Sequence, residues 1–282
     1  MIGFPPMEDL LGTVTACGSA CLPMFMLLAL GGFLVWQRKR SRAATDPATM
    51  VPNWVRFMQA TSYRRPGMEQ APLEQQAHAM TMDFHRYVHG GGQKKAFTQH
   101  LVKHLGEGYA VHSRIFMGYD PHDPTRYVTS ATWTMALPQT RRVLFHIASK
   151  HIGGVGEALK DSVQRAERVW SPAYPQRITT GDPRIDGAFN VWGQDPVAVA
   201  QVLTTSGLAE LLSGCAEVDL VVTPTEVSFS DPRQKNLLAA VGGTIGAWAT
   251  GMDTSKMLDM TAPMHVRLCD IVAIAARATT RS

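Results

Sequence analysis

The chain has 282 residues, of which 45% are hydrophobic and 18% are charged, and this composition excludes an intrinsically disordered protein. The length allows one large domain or two small ones. The net charge of +4 is local, because Arg38, Lys39, Arg40 and Arg42 supply four of the 27 basic residues. From position 43 onward 23 basic residues stand against 21 acidic ones, so no overall positive field predicts a nucleic-acid partner.

The first predicted element is a membrane-spanning helix over residues 16–36. No charged residue lies between Asp9 and Arg38, and such a helix would be about 31 Å long, which matches a bilayer hydrocarbon core of about 30 Å. Acidic residues precede the apolar segment and basic residues follow it, and basic flanks stay in the cytoplasm. We therefore predict a single-pass protein of the cell inner membrane, with its N-terminus outside and its C-terminal domain cytoplasmic. The residues predicted at the membrane interface are Trp36, Arg38, Lys39, Arg40 and Arg42.

Two other interpretations of this segment are less favoured. A cleavable signal peptide carries its basic region before the apolar run, whereas here the basic residues follow it. A lipoprotein cleavage site at Cys17 would need an apolar helix before it, and that stretch contains prolines and acidic residues. The lipid bilayer is accordingly a predicted partner of the chain.

Three regions follow from this pattern. Residues 1–42 form the predicted membrane anchor, and residues 43–79 form a predicted juxtamembrane linker that is interrupted by four prolines and contains one short helix around Trp54. Residues 80–282 form the predicted globular domain. Within it, residues 80–89 fit either a helix or a strand, because they alternate apolar and polar side chains over a short length.

The first half of the predicted domain changes its periodicity from helical to extended. Lys94–Leu105 is predicted to be a helix, with three apolar residues spaced by four positions on one face. Tyr109–Met117 and Arg126–Ala136 are rich in β-branched and aromatic residues and are predicted to form a hairpin. Val143–Ala148 is predicted to add a third strand. Sequential strands with short connections indicate antiparallel pairing.

The second half contains clear helix starts. Asp195-Pro196 and Asp231-Pro232 each place a capping carboxylate before a proline at the first helical position. Further elements are predicted in the order short helix, hairpin and final apolar helix: Leu208–Leu212, Val218–Thr223 with Glu226–Ser230, and Ala262–Ala278. The predicted fold class is therefore α+β, an N-terminal transmembrane helix followed by an antiparallel sheet with flanking helices.

One motif resembles a known group of proteins. Residues 180–191 read TGDPRIDGAFNV, and they are followed by the helix at Asp195, the short leucine-rich helix, the hairpin and the C-terminal helix. This order resembles a loosely defined group of bacterial membrane-anchored proteins of unknown function, whose pattern is TGDxxFDxxFxV. Ile185 departs from the phenylalanine of that pattern. The resemblance implies a fold and a membrane location but no catalytic residue, and the carboxylates of the motif suit hydrogen bonds to turn and cap backbone.

The histidines are the candidate metal ligands. His85 with His89, and His100 with His104, have the four-residue spacing that places two imidazoles on one helix face. Such pairs bind zinc or another divalent metal, or haem if a helix hairpin brings the two pairs together. Solvated or capping histidines are the alternative. The sequence does not identify a cofactor.

No catalytic motif stands out in the chain. It contains no GxSxG nucleophile elbow and no complete phosphate-binding GxxxxGK[ST] loop. We therefore predict a non-enzymatic interaction or scaffold module, tethered to the membrane, that binds a protein partner or associates with itself. The alternative prediction is a metal- or haem-binding membrane protein that uses the paired histidines. An enzyme with an unfamiliar site is the remaining option.

Overall fold

The computed structural model describes residues 46–89, 96–119, 125–137, 142–150, 174–242 and 254–279. Its centre is an eight-stranded sheet in which all neighbouring strands are antiparallel. In chain order the strands are β1 (Phe97–Gly106), β2 (Tyr109–Tyr119), β3 (Tyr127–Ala136), β4 (Phe145–Ser149), β5 (Gln176–Ile178), β6 (Phe189–Gly193), β7 (Asp219–Val222) and β8 (Glu226–Asp231). Across the sheet their order is β1-β2-β3-β8-β7-β4-β6-β5.

Helices of the described residues complete the fold. They are α1 (Pro47–Thr61), α2 (Leu73–His89), α3 (Pro183–Ala188), α4 (Pro196–Thr205), α5 (Leu208–Ser213), α6 (Lys235–Ala240) and α7 (Thr254–Ala278). Helix α7 contacts α1 and also strands β2, β3, β7 and β8. It is therefore the central helix among those that pack on the sheet. The fold class is α+β, with an antiparallel sheet and flanking helices.

The two faces of the sheet differ because side chains alternate along each strand. One face presents fully buried side chains such as Trp133 and Phe229, which join Phe57 of α1 and Leu268 of α7 in one hydrophobic cluster. The other face carries half-buried polar residues on the central strands: Ser130, Thr132, Thr134, Ser228 and Ser230. An antiparallel sheet tolerates this arrangement, with one face on the core and one toward solvent.

Both predicted hairpins are present, as β2–β3 and β7–β8. The helix predicted at Asp195 is α4, and the predicted C-terminal helix lies within α7. Strand β4 lies where a third strand is predicted, but it pairs with β6 and β7 instead of β3. The sheet therefore joins two sequence-local hairpins through the contact between β3 and β8.

The prediction of a helix over Lys94–Leu105 is wrong, because most of this segment is strand β1. Its apolar residues recur every four positions, and four is compatible with one face of a helix and also with one face of a strand. The turn between β1 and β2 decides between the two. Gly106, Glu107 and Gly108 all have positive φ, and this tight reversal pairs β1 with β2 along its whole length.

The segment predicted as a linker contributes to the core. Helix α1 begins at a cap in which Asp46 accepts a hydrogen bond from Ala48 N at 3.0 Å, and it buries four large side chains: Met50, Trp54, Phe57 and Met58. Arg64 then forms two backbone hydrogen bonds with Val102 of β1, at 2.7 and 2.8 Å. Residues 80–89, for which the sequence allowed either a helix or a strand, are helical and belong to α2.

The predicted membrane-spanning helix requires a correction. Among the described residues, no helix combines the length and apolarity needed to cross a bilayer. The 25 residues of α7 are long enough, but charged side chains such as Lys256, Asp259 and Arg267 interrupt its apolar surface. Residues 16–36 and the rest of the predicted anchor over 1–42 lie outside the described residues. The predictions of a transmembrane fold and of a single-pass inner-membrane location are therefore contradicted by the helices that the structure does describe.

Candidate functional site

The motif over residues 180–191 forms a capped turn that leads into β6. Asp186 accepts hydrogen bonds from Thr180 N at 2.9 Å, Thr180 Oγ1 at 3.0 Å and Gly181 N at 2.8 Å. Asp182 accepts one from Arg184 N at 2.9 Å and caps α3. The interpretation of these carboxylates as partners of turn and cap backbone is confirmed.

The four histidines predicted as metal ligands lie on two different elements. His85 and His89 are on helix α2, with ring centroids 4.5 Å apart. His100 and His104 are on strand β1, where residues four apart are separated by about 13 Å. The helical geometry expected for the second pair is therefore wrong, and the two-helix arrangement proposed for haem is not formed by these four residues.

A histidine outside the predicted set is the neighbour of His100. His112 lies on β2, and its Nδ1 is 3.1 Å from His100 Nε2. Burial, followed by the positive charge of Arg114, lowers the pKa of both imidazoles. The sequence signal for this pair was the Gly106-Glu107-Gly108 reversal, because a hairpin centred on Glu107 brings positions 100 and 112 to the same face.

Larger groups of metal-ligating side chains are absent from the part of the chain that the structure describes: no three or more His, Cys, Asp or Glu residues converge on one metal position. The prediction of metal binding by His85, His89, His100 and His104 thus stays a prediction. The predicted membrane-interface residues, Trp36 to Arg42, lie outside the described residues.

A small pocket opens between α2 and the edge strand β1. Its volume is about 190 Å³, below the range of roughly 300–1,000 Å³ that is usual for small-molecule sites. The lining residues are Arg65, Pro66, Met80, Asp83, Phe97, Thr98, Gln99 and His100. Arg65 and Asp83 form an ion pair across it, with Nη1 and Oδ2 2.8 Å apart. The pocket therefore combines an apolar wall with charged groups.

Gln99 is the unusual member of this pocket. Only 9% of the residue is exposed, yet its Nε2 has no hydrogen-bond partner among the described residues. A buried amide donor without a partner costs about 1–3 kcal/mol. Gln99 lines the pocket while its Nε2 atom stays buried and unpaired among the described residues.

Five aromatic side chains form one patch beside the pocket, here called the aromatic patch: Phe84, Tyr87, Phe97, Tyr119 and Tyr127. Phe97 is buried, and its ring centroid lies 5.4 Å from that of Phe84 and 5.6 Å from that of Tyr87. The hydroxyl groups of Tyr87 and Tyr127 are hydrogen bonded. Tyr119 and Tyr127 are cross-strand partners whose rings meet edge to face, with centroids 5.6 Å apart.

The outer end of the aromatic patch is open to solvent. Tyr119 is 40% exposed and Tyr127 is 49% exposed. Burial, followed by the hydrogen bond with Tyr87, raises the pKa of Tyr127 to about 12, so the hydroxyl is neutral and can donate a hydrogen bond at physiological pH. Tyrosine combines a large apolar surface with one polar atom, and it is enriched where proteins bind one another.

A wider cleft lies between α4 and α7, with a volume of about 700 Å³. It is lined by Ala198, Gln201, Val202, Thr205, Ser206, Ile274, Arg277 and Ala278. Buried polar atoms without partners are absent from this lining among the residues described. The cleft thus lacks the feature that distinguishes the pocket at Gln99.

Sequence reasoning missed both the pocket and the aromatic patch. Phe97, Gln99 and Leu101 follow one another at every second position, and in a strand this alternation places a polar amide on the buried face. The signal was hidden by the helical interpretation of the segment. The patch has no sequence signature, since its members come from α2, β1, β2 and β3.

Comparison with known proteins identifies no family. No protein-family model matches the chain, and neither does any curated protein. One solved structure that aligns is the mycobacterial trehalose monomycolate transport factor A (TtfA), with a TM-score of 0.29 and 13% identity over 60% of this chain and 74% of that chain. A likeness this distant carries no argument about function. The resemblance of the TGD motif to a group of uncharacterised proteins stays a prediction.

Proposed function

We propose that this chain is a non-enzymatic protein-interaction module and that its partner binds at the aromatic patch and the adjoining pocket. The single observation that carries the proposal is the aromatic patch itself, in which two exposed tyrosines are joined through Tyr87 to Phe97, a residue of the pocket lining. Energetically dominant residues of interfaces are enriched in tyrosine, tryptophan and arginine and surround well-packed pockets. The same combination is present here within one end of the sheet.

The size of the pocket favours a protein partner over a free metabolite. A volume of about 190 Å³ suits one inserted side chain better than a whole drug-sized ligand. The lining holds one charged donor, the Arg65 guanidinium, and one charged acceptor, the Asp83 carboxylate, which already neutralise one another. We therefore expect the partner to insert one uncharged side chain into the pocket and to present an apolar surface to the tyrosines.

The shape of the patch supports the same conclusion. Phe84 packs against the main core, whereas Tyr119 and Tyr127 extend toward solvent. The patch is therefore anchored at one end and needs little rearrangement to bind. Rigid aromatic side chains lose little conformational entropy on association, which favours affinity.

The test is site-specific photo-crosslinking in cells of the source organism, with a photoreactive phenylalanine analogue at position 127 and, as a matched control, at position 197. Val197 is 77% exposed on α4, away from the aromatic patch. We expect a discrete adduct from position 127 that is absent from position 197. The same adduct should be lost in a Tyr119→Ala background, which removes the exposed ring that meets Tyr127 edge to face.

The outcomes separate the alternatives. An adduct with a second protein supports the proposal, and an adduct at twice the mass of the chain supports self-association through the same surface. Equal labelling from both positions would contradict the proposal. So would the absence of an adduct from position 127 in a variant that circular dichroism shows to be folded.

A further inference from the structure

His100 and His112 are diagonal neighbours on the face of the sheet opposite the main core. His100 pairs directly with Arg114, and His112 pairs directly with Val102. Side chains related in this way lie within reach of one another on the same face of an antiparallel pair. Their rings are tilted by 42° with centroids 5.3 Å apart, and Nε2 of one is 3.1 Å from Nδ1 of the other.

This nitrogen separation matches that of two ligands on one metal ion. Imidazole nitrogens bind divalent transition metals at about 2.0–2.1 Å, so two nitrogens on neighbouring positions of a tetrahedral or octahedral ion are roughly 3.0–3.4 Å apart. Continuous backbone pairing of β1 with β2 on both sides of the pair fixes the positions of the two backbone segments that carry the rings. Both histidines are only half-buried, so an ion and its water molecules can reach them.

The charge state of the two rings suits metal binding. Burial and Arg114 both lower their pKa values, and a neutral imidazole is the form that ligates a metal. In the metal-free pair one ring donates its N–H to the other. Metal binding requires that this proton move to the second nitrogen of the donor ring, so no net proton is released near neutral pH.

We propose that His100 and His112 form a cross-strand site for a divalent transition metal ion, with water molecules completing its coordination. Imidazole ligands suit Cu²⁺, Ni²⁺ and Zn²⁺, and affinity for such ions peaks at Cu²⁺. The positive charge of Arg114 opposes the bound cation and weakens the site. The metal site is argued without the proposed protein interaction, but it adjoins that surface because His100 also lines the pocket.

Cu²⁺ titration of the full chain, followed by electron paramagnetic resonance, tests the proposal. The starting protein carries His85→Ala and His89→Ala, because that helical pair is a competing site. We expect one Cu²⁺ ion with hyperfine coupling to two nitrogens. Adding His100→Ala or His112→Ala should weaken binding by about tenfold or more, whereas Arg114→Gln should tighten it because the nearby charge is removed.

His78→Ala and Tyr119→Ala are the matched controls. His78 is exposed on helix α2, and its loss should leave the Cu²⁺ affinity and the two-nitrogen spectrum unchanged. Tyr119→Ala should also leave them unchanged, so a failed interaction proposal and a failed metal proposal are distinguishable. Unchanged Cu²⁺ binding in both His100→Ala and His112→Ala, or an equal loss in His78→Ala, would overturn the assignment. If an alanine variant unfolds, His100→Asn and His112→Asn replace it, and unchanged binding in both is equally decisive.

Discussion

His265 is a single residue whose environment decides its chemistry. Its ring lies in the core, with centroids 5.0 Å from Phe57, 6.0 Å from Tyr63 and 5.6 Å from Trp133, all in edge-on geometry. Burial lowers its pKa to about 3, and its Nδ1 has no hydrogen-bond partner among the described residues. The imidazole is therefore neutral in the folded protein at any physiological pH.

This burial predicts a pH-dependent stability. The unfolded imidazole, with a pKa of about 6.5, binds a proton below that pH, but the folded one does not until about pH 3, so stability falls as the pH drops through this window. The substitution His265→Leu removes this pH-dependent contribution to the free energy of unfolding. We expect the stability of the variant relative to the wild type to increase by about 2 kcal/mol between pH 7 and pH 5, measured by urea unfolding at each pH.

The comparison must be made between variant and wild type, because Asp231 acts in the opposite direction. Burial raises the pKa of Asp231 to about 6. The folded carboxyl therefore binds a proton between about pH 6 and pH 4 more readily than the unfolded one. That contribution is common to both proteins and cancels in the difference. Parallel stability curves for His265→Leu and the wild type would contradict the assignment of a buried neutral imidazole.

Substitution by alanine is expected to have opposite effects on stability at two glycines of the chain, Gly193 and Gly187. A Cβ added at Gly193 would lie 2.8 Å from the backbone carbonyl oxygen of Leu144, whereas one added at Gly187 would meet nothing within 4 Å. Gly193→Ala should therefore destabilise the protein by about 1–3 kcal/mol. Gly187→Ala, inside α3, should be neutral or stabilising by up to about 1 kcal/mol. Chemical denaturation measures both, and equal effects would show that strand packing at Gly193 is looser than described.

At the scale of elements, α4 depends on the capping residue that precedes it. Asp195 accepts hydrogen bonds from Val197 N and Ala198 N, each at 3.0 Å. Asp195→Ala should reduce the free energy of unfolding by about 1 kcal/mol, and Asp195→Asn should retain most of it because the amide oxygen still caps the helix. Thermal melting followed by circular dichroism distinguishes the two. A loss in the asparagine variant equal to that in the alanine variant would show that charge, and not the cap bond, is responsible.

Helix α6 shows that an Asp-Pro pair does not always mark the exact start of a helix. Asp231-Pro232 predicts a helix that starts at the proline, but α6 begins at Lys235. Asp231 still caps it, since its Oδ2 accepts a hydrogen bond from Asn236 N at 3.1 Å. Asp231 ends β8, where it pairs with Ala131 of β3. A turn closed by the hydrogen bond from Gln234 N to Asp231 O, at 3.1 Å, then precedes the helix.

Strand β1 forms one edge of the sheet, and an uncovered edge presents unpaired backbone groups that promote aggregation. The backbone bonds between Arg64 and Val102 cover its middle. Arg64→Pro should expose this edge, because proline removes the donor to Val102 O. We expect faster aggregation on mild heating, followed by light scattering, than in the matched variant Arg64→Ala, which keeps the backbone donor. Identical aggregation of the two variants would contradict a protective role for this bridge.

At the scale of the whole molecule, the aromatic patch and the metal pair lie on opposite faces of the same two strands. Phe97 and Tyr119 point to the face that α2 covers, whereas His100 and His112 point to the other. Period-two alternation makes this separation possible within a few residues. The aromatic patch and the metal pair are therefore separate surfaces at one edge of the sheet, and they meet at the pocket that His100 lines.

Local chemistry in the sequence was sufficient for several elements. The hairpins β2–β3 and β7–β8, the cap of α4 and the turn that Asp186 holds all depend on residues close together in the chain, so composition and turn residues predicted them. The α+β class followed from the same signals. The membrane span was inferred from local apolarity in the same way, and the described helices contradict it.

Tertiary structure alone decided the rest. Whether β1 is a strand or a helix depended on its partner β2, because apolar residues four positions apart satisfy both periods. The pairing of β3 with β8 and the pocket that brings Arg65 and Asp83 to Gln99 join residues far apart in sequence. Such contacts form only when non-local strands pair, and no local pattern encodes which strand will be the neighbour.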